Sequence, residues 1–167
     1  GHPTPSAINE PGFFRLISGM ASVTDMLCRE LPLAFQRHNI DAVIVADPKT
    51  DIYHPNVIRA SQGYVFQVPT VSADSKKVID WMKKNKIKGY AATTQGKKDH
   101  TAVNWQTASA IILGTEADGL SDDWLNQADD LIRIPMRPHL DSLNVSVSAA
   151  ILIYEALRQR NFVDINK

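Results

Sequence analysis

Three stretches of the chain carry residue types suited to holding a small ligand and moving a group on it. Thr93-Thr94-Gln95-Gly96 offers hydroxyls, an amide and a glycine. Leu113-Gly114-Thr115-Glu116-Ala117-Asp118-Gly119-Leu120 sets a carboxylate, Glu116, between two glycines that permit close backbone approach. The third runs from Ile134-Pro135-Met136 through an irregular loop to Asp141-Ser142-Leu143-Asn144. Asp141, Ser142 and Asn144 gather there at a predicted helix start, where backbone N–H groups lack partners. Each stretch also has a plainer reading. Two glycines around an acid make a strand-to-helix turn, and Asp-Ser ahead of a helix makes a cap. Spacing excludes other chemistries. No Gly-Lys-Ser/Thr follows the glycine pair, so it is not a phosphate loop, and no dinucleotide fingerprint is present. His2, His38, His54, His100 and His139 are scattered without ligand spacing, so no metal is expected. Ser142 lacks the glycine-flanked turn of a hydrolase nucleophile.

These stretches need elements to position them, and the pattern supplies strands alternating with helices. Asp41–Asp47 is an apolar run bounded by acids, typical of a strand buried on both faces. Residues 64–71 (YVFQVPTV) predict a second strand, with Pro69 weakening its far end. Residues 88–94 and 109–115 predict a third and a fourth, and residues 131–136 a fifth that proline closes. Helices are predicted over 75–85 and 121–128, each opened by a serine able to cap it. The last predicted helix, 142–160, has two apolar stripes. Leu143, Val147, Ile151 and Tyr154 form one; Val145, Ala149, Leu152 and Ala156 form the other. Such a helix packs on a sheet with one side and on a second surface with the other. The alternation predicts an α/β domain with a mainly parallel sheet, and each of the three stretches follows a strand, where open α/β sheets place their sites. The domain is assigned to residues 41–167. Residues 1–40 read as a divergent, partly flexible segment: a Pro/Ser/Thr-rich lead-in, then a stretch that can be drawn as helix over 13–38, with no strand before Asp41.

Composition narrows the classes. The 167 residues are 44% hydrophobic and 22% charged, an ordinary globular balance that excludes a disordered tail or a fibre. Lys plus Arg is 18 and Asp plus Glu is 18, so net charge points to no polyanionic partner. Charge is segregated locally instead. Residues 75–98 hold eight of the ten lysines against one acid, Asp80, and residues 116–130 hold six acids and no base. The lysines are either a solvated helix face or a phosphate-steering patch. The single cysteine, Cys28, excludes an internal disulfide and suits a reducing compartment. With no charged-then-apolar leader and no apolar run longer than residues 149–154, a cytoplasmic protein without a membrane span is expected.

In combination the segments are more specific. Asn56-Val-Ile-Arg-Ala-Ser-Gln-Gly63, Ile112-Leu-Gly-Thr-Glu-Ala-Asp-Gly-Leu120, Ile134-Pro-Met136 and Asp141-Ser-Leu-Asn-Val-Ser-Val-Ser-Ala-Ala150, in that order, resemble the SpoU-type RNA 2′-O-ribose methyltransferases of the SPOUT superfamily. The resemblance covers residues from about 41 to 160 and is most specific in the last segment. It implies a C-terminal trefoil knot, a feature nearly absent from other folds. It also implies S-adenosylmethionine as cofactor, bound in the knot, tRNA or rRNA as substrate, and a homodimer formed partly through the last helix. Gly114, Ile134 and Leu143 are then expected to contact the cofactor, largely through backbone atoms, with Thr93, Thr94 and Met136 lining the pocket. Glu116, Ser142 and Asn144 form the implied catalytic group, with Ser142 and Asn144 beside the transferred methyl and the ribose. A ribose hydroxyl is a poor nucleophile at neutral pH, so transfer needs a proton acceptor and a hydroxyl held in line. Lys83, Lys84, Lys86 and Lys88 are the candidates for holding RNA, provided they face the site.

The chain departs from the family in one respect. An Asn-x-Gly-x-x-x-Arg motif, whose arginine has a central catalytic role in the family, is not found before Asp41. Asn9-Glu-Pro-Gly-Phe-Phe-Arg15 has similar letters at a different spacing, and Arg29 and Arg37 lie in unmatched sequence. Two expectations follow: a working methyltransferase with another arginine at the site, or a domain that binds S-adenosylmethionine or RNA with little turnover. A plain α/β nucleotide-binding domain is a third reading, and predicts neither knot nor cofactor preference.

Overall fold

The computed structural model describes residues 14–18, 42–47, 51–61, 63–66, 69–115, 119–137 and 142–162. Seven strands form one sheet: β1 (Phe14–Ser18), β2 (Ala42–Ala46), β3 (Thr70–Ala73), β4 (Lys88–Ala92), β5 (Lys98–Asp99), β6 (Ser109–Leu113) and β7 (Asp130–Arg133). Their order is β3-β2-β1-β6-β4-β7-β5, and every pairing is parallel. Among the described residues four helices accompany them: α1 (Pro55–Ala60), α2 (Ser75–Lys84), α3 (Asp122–Gln127) and α4 (Val145–Gln159).

Strand periodicity sorts the apolar runs into two cores. Val43, Val45, Tyr90, Ile111, Leu113 and Ile132 point to one face, where Trp105 and the Val145, Ala149, Leu152, Ile153 and Ala156 side of α4 cover them. Ile44, Ala46, Ala91, Ala110 and Ile112 point to the other, under Val78, Ile79 and Met82 of α2 and Trp124 of α3. Continuous apolar strands follow from coverage on both faces. The second stripe of α4 lies differently: Val147 and Ile151 are half-buried and Tyr154 is 51% exposed.

Three expectations are corrected. A strand does precede Asp41: β1 pairs with β2 on one side and β6 on the other, in the centre of the sheet. The rest of the segment read as helix lies outside the described residues. The second strand does not span 64–71. Tyr64–Phe66 forms a 3-10 turn, and β3 begins at Thr70. Pro69 opens that strand rather than weakening its end: it has no N–H to give, and its carbonyl accepts from Val43 N at 2.9 Å. Ser75, expected as a helix cap, is the first residue of α2, and Asp74 caps it by accepting from Lys77 N. The Ser75 hydroxyl instead donates to Asp47 at the end of β2 and accepts from Trp124 Nε1 at 3.0 Å, tying β2, α2 and α3 together.

The C-terminal end of α4 is pinned to the loop after β5. Gln159 Oε1 accepts from Trp105 N at 3.0 Å, and Arg160 Nε donates to Trp105 O at 2.7 Å. Glu155, 8% exposed, accepts from Arg158 Nε and Nη2, both at 2.8 Å, and from Gln159 Nε2 at 2.8 Å. The Arg158 hydrogen bonds hold the Glu155 carboxyl below the usual carboxylate range, against burial, which pushes it up. A depressed value in the folded state stabilises above the ordinary carboxylate pKa and loses that contribution as pH falls through the folded value. Glu155→Gln should therefore lower Tm at neutral pH, and the gap to the parent should close as pH drops through about 4 and below. Parallel thermal melts across pH check this; a gap constant with pH refutes it.

No helix among the described residues is long and apolar enough to cross a membrane.

Candidate functional site

A cleft of about 710 Å³ opens at the C-terminal ends of β4, β6 and β7. It is built from three connections that leave those strands and from the start of α4. The connections after β6 and β4 owe their paths to local backbone requirements.

After β6 the chain folds back on itself. Thr115 N donates to Gly119 O and Gly119 N to Thr115 O, both at 3.0 Å. Gly119 takes φ +67°, a left-handed value that glycine adopts without strain. Gly114 lies so close to the returning chain that a Cβ on it would stand 2.3 Å from the Gly119 carbonyl carbon. After β4 the chain turns tightly: Gln95 N donates to Thr93 Oγ1 and Gly96 N to Thr93 O. This turn is strapped across β7. Thr93 N donates to Ile132 O at 2.9 Å, and a Cβ on Gly96 would fall 2.4 Å from the Ile132 carbonyl carbon. It delivers the chain to β5, on the far side of β7. The third connection leaves β7 through Ile134 and Met136, and residues 142–144 bring the chain into α4.

Thr93, Thr94, Gly114, Ile134, Met136, Ser142, Leu143 and Asn144 all line this one cleft. Glu116 lies outside the described residues. Asn144 also has a structural task, since its Oδ1 caps α4 by accepting from Ser146 N at 2.9 Å and Ser146 Oγ at 2.6 Å. Other lining residues escape the sequence reading. Ser148 is one helical turn beyond Asn144, a spacing that signals a shared face. Leu125 arrives by the docking of α3 against the sheet, and that docking has no local signature in the sequence. Among the described lining residues none is ionisable, so the walls offer apolar surface, hydroxyls, two amides and backbone groups.

The lysines lie elsewhere. Lys83 and Lys84 occupy the last turn of α2, Lys86 the turn after it, and Lys88 the first residue of β4. The cleft begins at the other end of that strand, at Ala92. These four lysines therefore sit at the N-terminal edge of the sheet and do not face the cleft. Lys83 Nζ donates to Gln127 Oε1, and Lys88 Nζ to Asp129 Oδ1 at 2.7 Å. Lys86 has φ +55° and closes the helix end, with its N–H donating to Lys83 O and that of Ile87 to Met82 O. Of the arginines before Asp41, Arg15 is described by its backbone alone, in register with Ala42 and Ala110, and Arg29 and Arg37 lie outside the described residues.

Comparison with known proteins agrees with this geometry. The chain is 32% identical over 124 residues to the 23S rRNA (uridine(2479)-2′-O)-methyltransferase of Streptomyces viridochromogenes, covering 71% of this chain and 43% of that one. It is 30% identical over 115 residues to the 23S rRNA (guanosine(2553)-2′-O)-methyltransferase of Bacillus subtilis (strain 168), covering 69% and 46%. The chain thus spans about half the length of the curated relatives it matches. A crystal structure of an RNA 2′-O ribose methyltransferase superposes with a TM-score of 0.79 at 38% identity, over 91% of this chain and 58% of that one. The SpoU methyltransferase AviRb of Streptomyces viridochromogenes, in complex with AdoMet, shares the fold with a TM-score of 0.83 at 24% identity, over 96% and 66%. A model of the SpoU rRNA methylase family matches residues 34–154, most of the chain and all of the cleft-forming segments. The chain belongs to the SpoU rRNA methylase family.

Proposed function

We propose that this chain binds S-adenosylmethionine in the cleft and transfers its methyl group to a ribose 2′-hydroxyl of tRNA or rRNA. The observation that carries the reading is the gathering of eight residues, far apart in sequence, around one cleft at the C-terminal edge of a parallel sheet. Its volume lies within the roughly 300–1,000 Å³ of small-molecule sites. The donor set fits the cofactor. Gly114 and Gly119 line the cleft without side chains, Leu113, Ile134 and Leu143 give it apolar walls, and hydroxyls and amides remain for the cofactor's polar end. When bound, S-adenosylmethionine supplies a methyl group on an electrophilic sulfonium.

In this reading Gly114, Ile134 and Leu143 hold the cofactor through backbone atoms, and Thr93, Thr94 and Met136 close the pocket around it. Ser142 and Asn144 orient the ribose hydroxyl, and fixed orientation supplies much of the rate. Glu116, between Gly114 and Gly119 in sequence, is assigned as the acceptor of the hydroxyl proton on the family resemblance. The crossing of residues 93–97 over β7 supports threading of the C-terminal segment into a trefoil knot. The partly exposed stripe of α4, with Val147 and Ile151 half-buried and Tyr154 51% exposed, supports pairing of two chains through that helix. The reading places the protein with its RNA in the cytoplasm.

Calorimetric titration with S-adenosylmethionine and S-adenosylhomocysteine tests the first half. Micromolar affinity, about −8 kcal/mol, at one site per chain is expected. A labelled-methyl assay on bulk tRNA and rRNA tests the second, with label recovered in dinucleotides that resist alkali, because a 2′-O-methyl blocks cleavage at its own phosphate. No binding refutes the reading. Binding without transfer reduces it to a cofactor-binding module.

A further inference from the structure

The two flanks of the cleft carry opposite charge. On one stands α3, whose first turn holds Asp122 and Asp123, both exposed. On the other, the turn after β4 and the exit of β7 leave the sheet together, held by the contacts of Thr93 and Gly96 with Ile132. Gln95 and Met136 line the cleft, and Lys97 and Arg137 follow them within two residues. Both cations are exposed, and neither has an ion pair among the described residues. Their basic neighbours are already committed, Lys98 to Asp130 at 2.8 Å and Arg133 to Asp99 at 2.7 Å.

We propose that Lys97 and Arg137 hold the phosphate backbone of the RNA, so that the substrate reaches the cleft over β5 and β7. The assignment rests on the methyl-transfer reading above. A ribose 2′-hydroxyl neighbours the 3′-phosphate of its own nucleotide, so a nucleotide presenting that hydroxyl to the cleft brings its phosphates to the rim. Lys97 and Arg137 follow the lining residues Gln95 and Met136 within two positions, exposed and without an ion pair among the described residues. The acidic turn of α3 repels a polyanion from the opposite side, which gives the approach a direction. Lys83, Lys84, Lys86 and Lys88 are at the other end of β4, roughly 13 Å along the strand, and cannot serve a nucleotide in the cleft.

The test is the double variant Lys97→Ala/Arg137→Ala in the full chain, compared with Lys83→Ala/Lys84→Ala. Binding of a labelled 23S rRNA transcript and of labelled tRNA is measured over a salt series, and S-adenosylmethionine affinity by calorimetry on the same preparations. The rim variant should bind RNA about tenfold more weakly at moderate salt, with a log–log salt slope shallower by about 1.4–1.8, as for two lost phosphate contacts. Its cofactor affinity should match the parent. Unchanged RNA affinity and slope in the rim variant overturn the proposal. So does a loss as large in the Lys83→Ala/Lys84→Ala variant, or a parent chain that binds neither RNA. A parent that binds RNA through the rim but takes up no cofactor refutes the methyl-transfer reading separately, because the two ligands are measured apart.

Discussion

If the proposed function holds, replacing Gly114 with alanine should reduce methyl transfer and cofactor affinity by about 100-fold, the scale expected when a site is displaced by about an ångström. The added Cβ would stand 2.3 Å from the Gly119 carbonyl carbon and 2.6 Å from Leu120 N, both backbone atoms. No side chain can turn away to relieve that contact. The strand end must separate from the returning loop, which breaks the paired hydrogen bonds between Thr115 and Gly119. The expected stability loss is about 1–3 kcal/mol, as for other overpacked positions, so the chain stays folded while its pocket changes shape. Gly119→Ala is the matched comparison. A Cβ there meets nothing within 4 Å, so the substitution costs only left-handed backbone strain at φ +67°, about 1–2 kcal/mol. Circular dichroism melts and calorimetry on both variants separate damage to the fold from damage to the site. Parental affinity in Gly114→Ala would mean that the ligand does not rest on this loop.

Trp105→Ala should destabilise the chain by about 3–5 kcal/mol, the usual cost of emptying a large aromatic site. At this chain length that is a fall in Tm of about 10–15 °C. Trp105 is fully buried at 0% exposure and packs edge-on against Tyr90, with ring centroids 4.7 Å apart. Its indole N–H donates to His100 O at 2.8 Å. Its backbone accepts from Arg160 and donates to Gln159, so the residue also fixes the C-terminal end of the helix whose other end forms a cleft wall. Trp105→Phe separates the contributions. It keeps a ring against Tyr90 but leaves the His100 carbonyl without its indole donor, beside a buried His100 Nδ1 that has no partner among the described residues. About 1–3 kcal/mol is expected for that change alone. Urea denaturation of the two variants gives both numbers, and a near-parental Trp105→Ala would place the tryptophan outside the core.

What could be read in advance follows from how each feature is encoded. β2 and β6 were legible because a strand buried on both faces is a continuous apolar run, and 42–46 and 109–113 are such runs. The cleft-lining loops were legible because they follow strands, and a parallel sheet gathers such loops at one edge. β1 was not: five residues with no clear alternation become a strand because β2 and β6 supply partners on both sides. β5, two residues long, exists only by pairing with β7. Pro69 was visible but ambiguous, since proline at a strand's start and proline at its end look alike in sequence. The lysines show how topology could have been used further. A helix that returns the chain from the end of β3 to the start of β4 must finish at the edge away from the site, and Lys83 and Lys84 are its last two residues.

The placement of β7 between β4 and β5 has a consequence for how the chain is made. β4 and β5 are joined by one short turn, yet the strand that keeps them apart is synthesised after β6 and α3. During translation the facing edges of β4 and β5 stay open, unable to pair with each other without closing the gap their later neighbour must enter. Until Asp130–Arg133 leaves the ribosome and is seated there, a nascent chain presents two bare strand edges, the kind of surface that invites misassembly and chaperone capture. The cleft is completed by the same late event, so a chain truncated before β7 lacks both a finished sheet and a binding site.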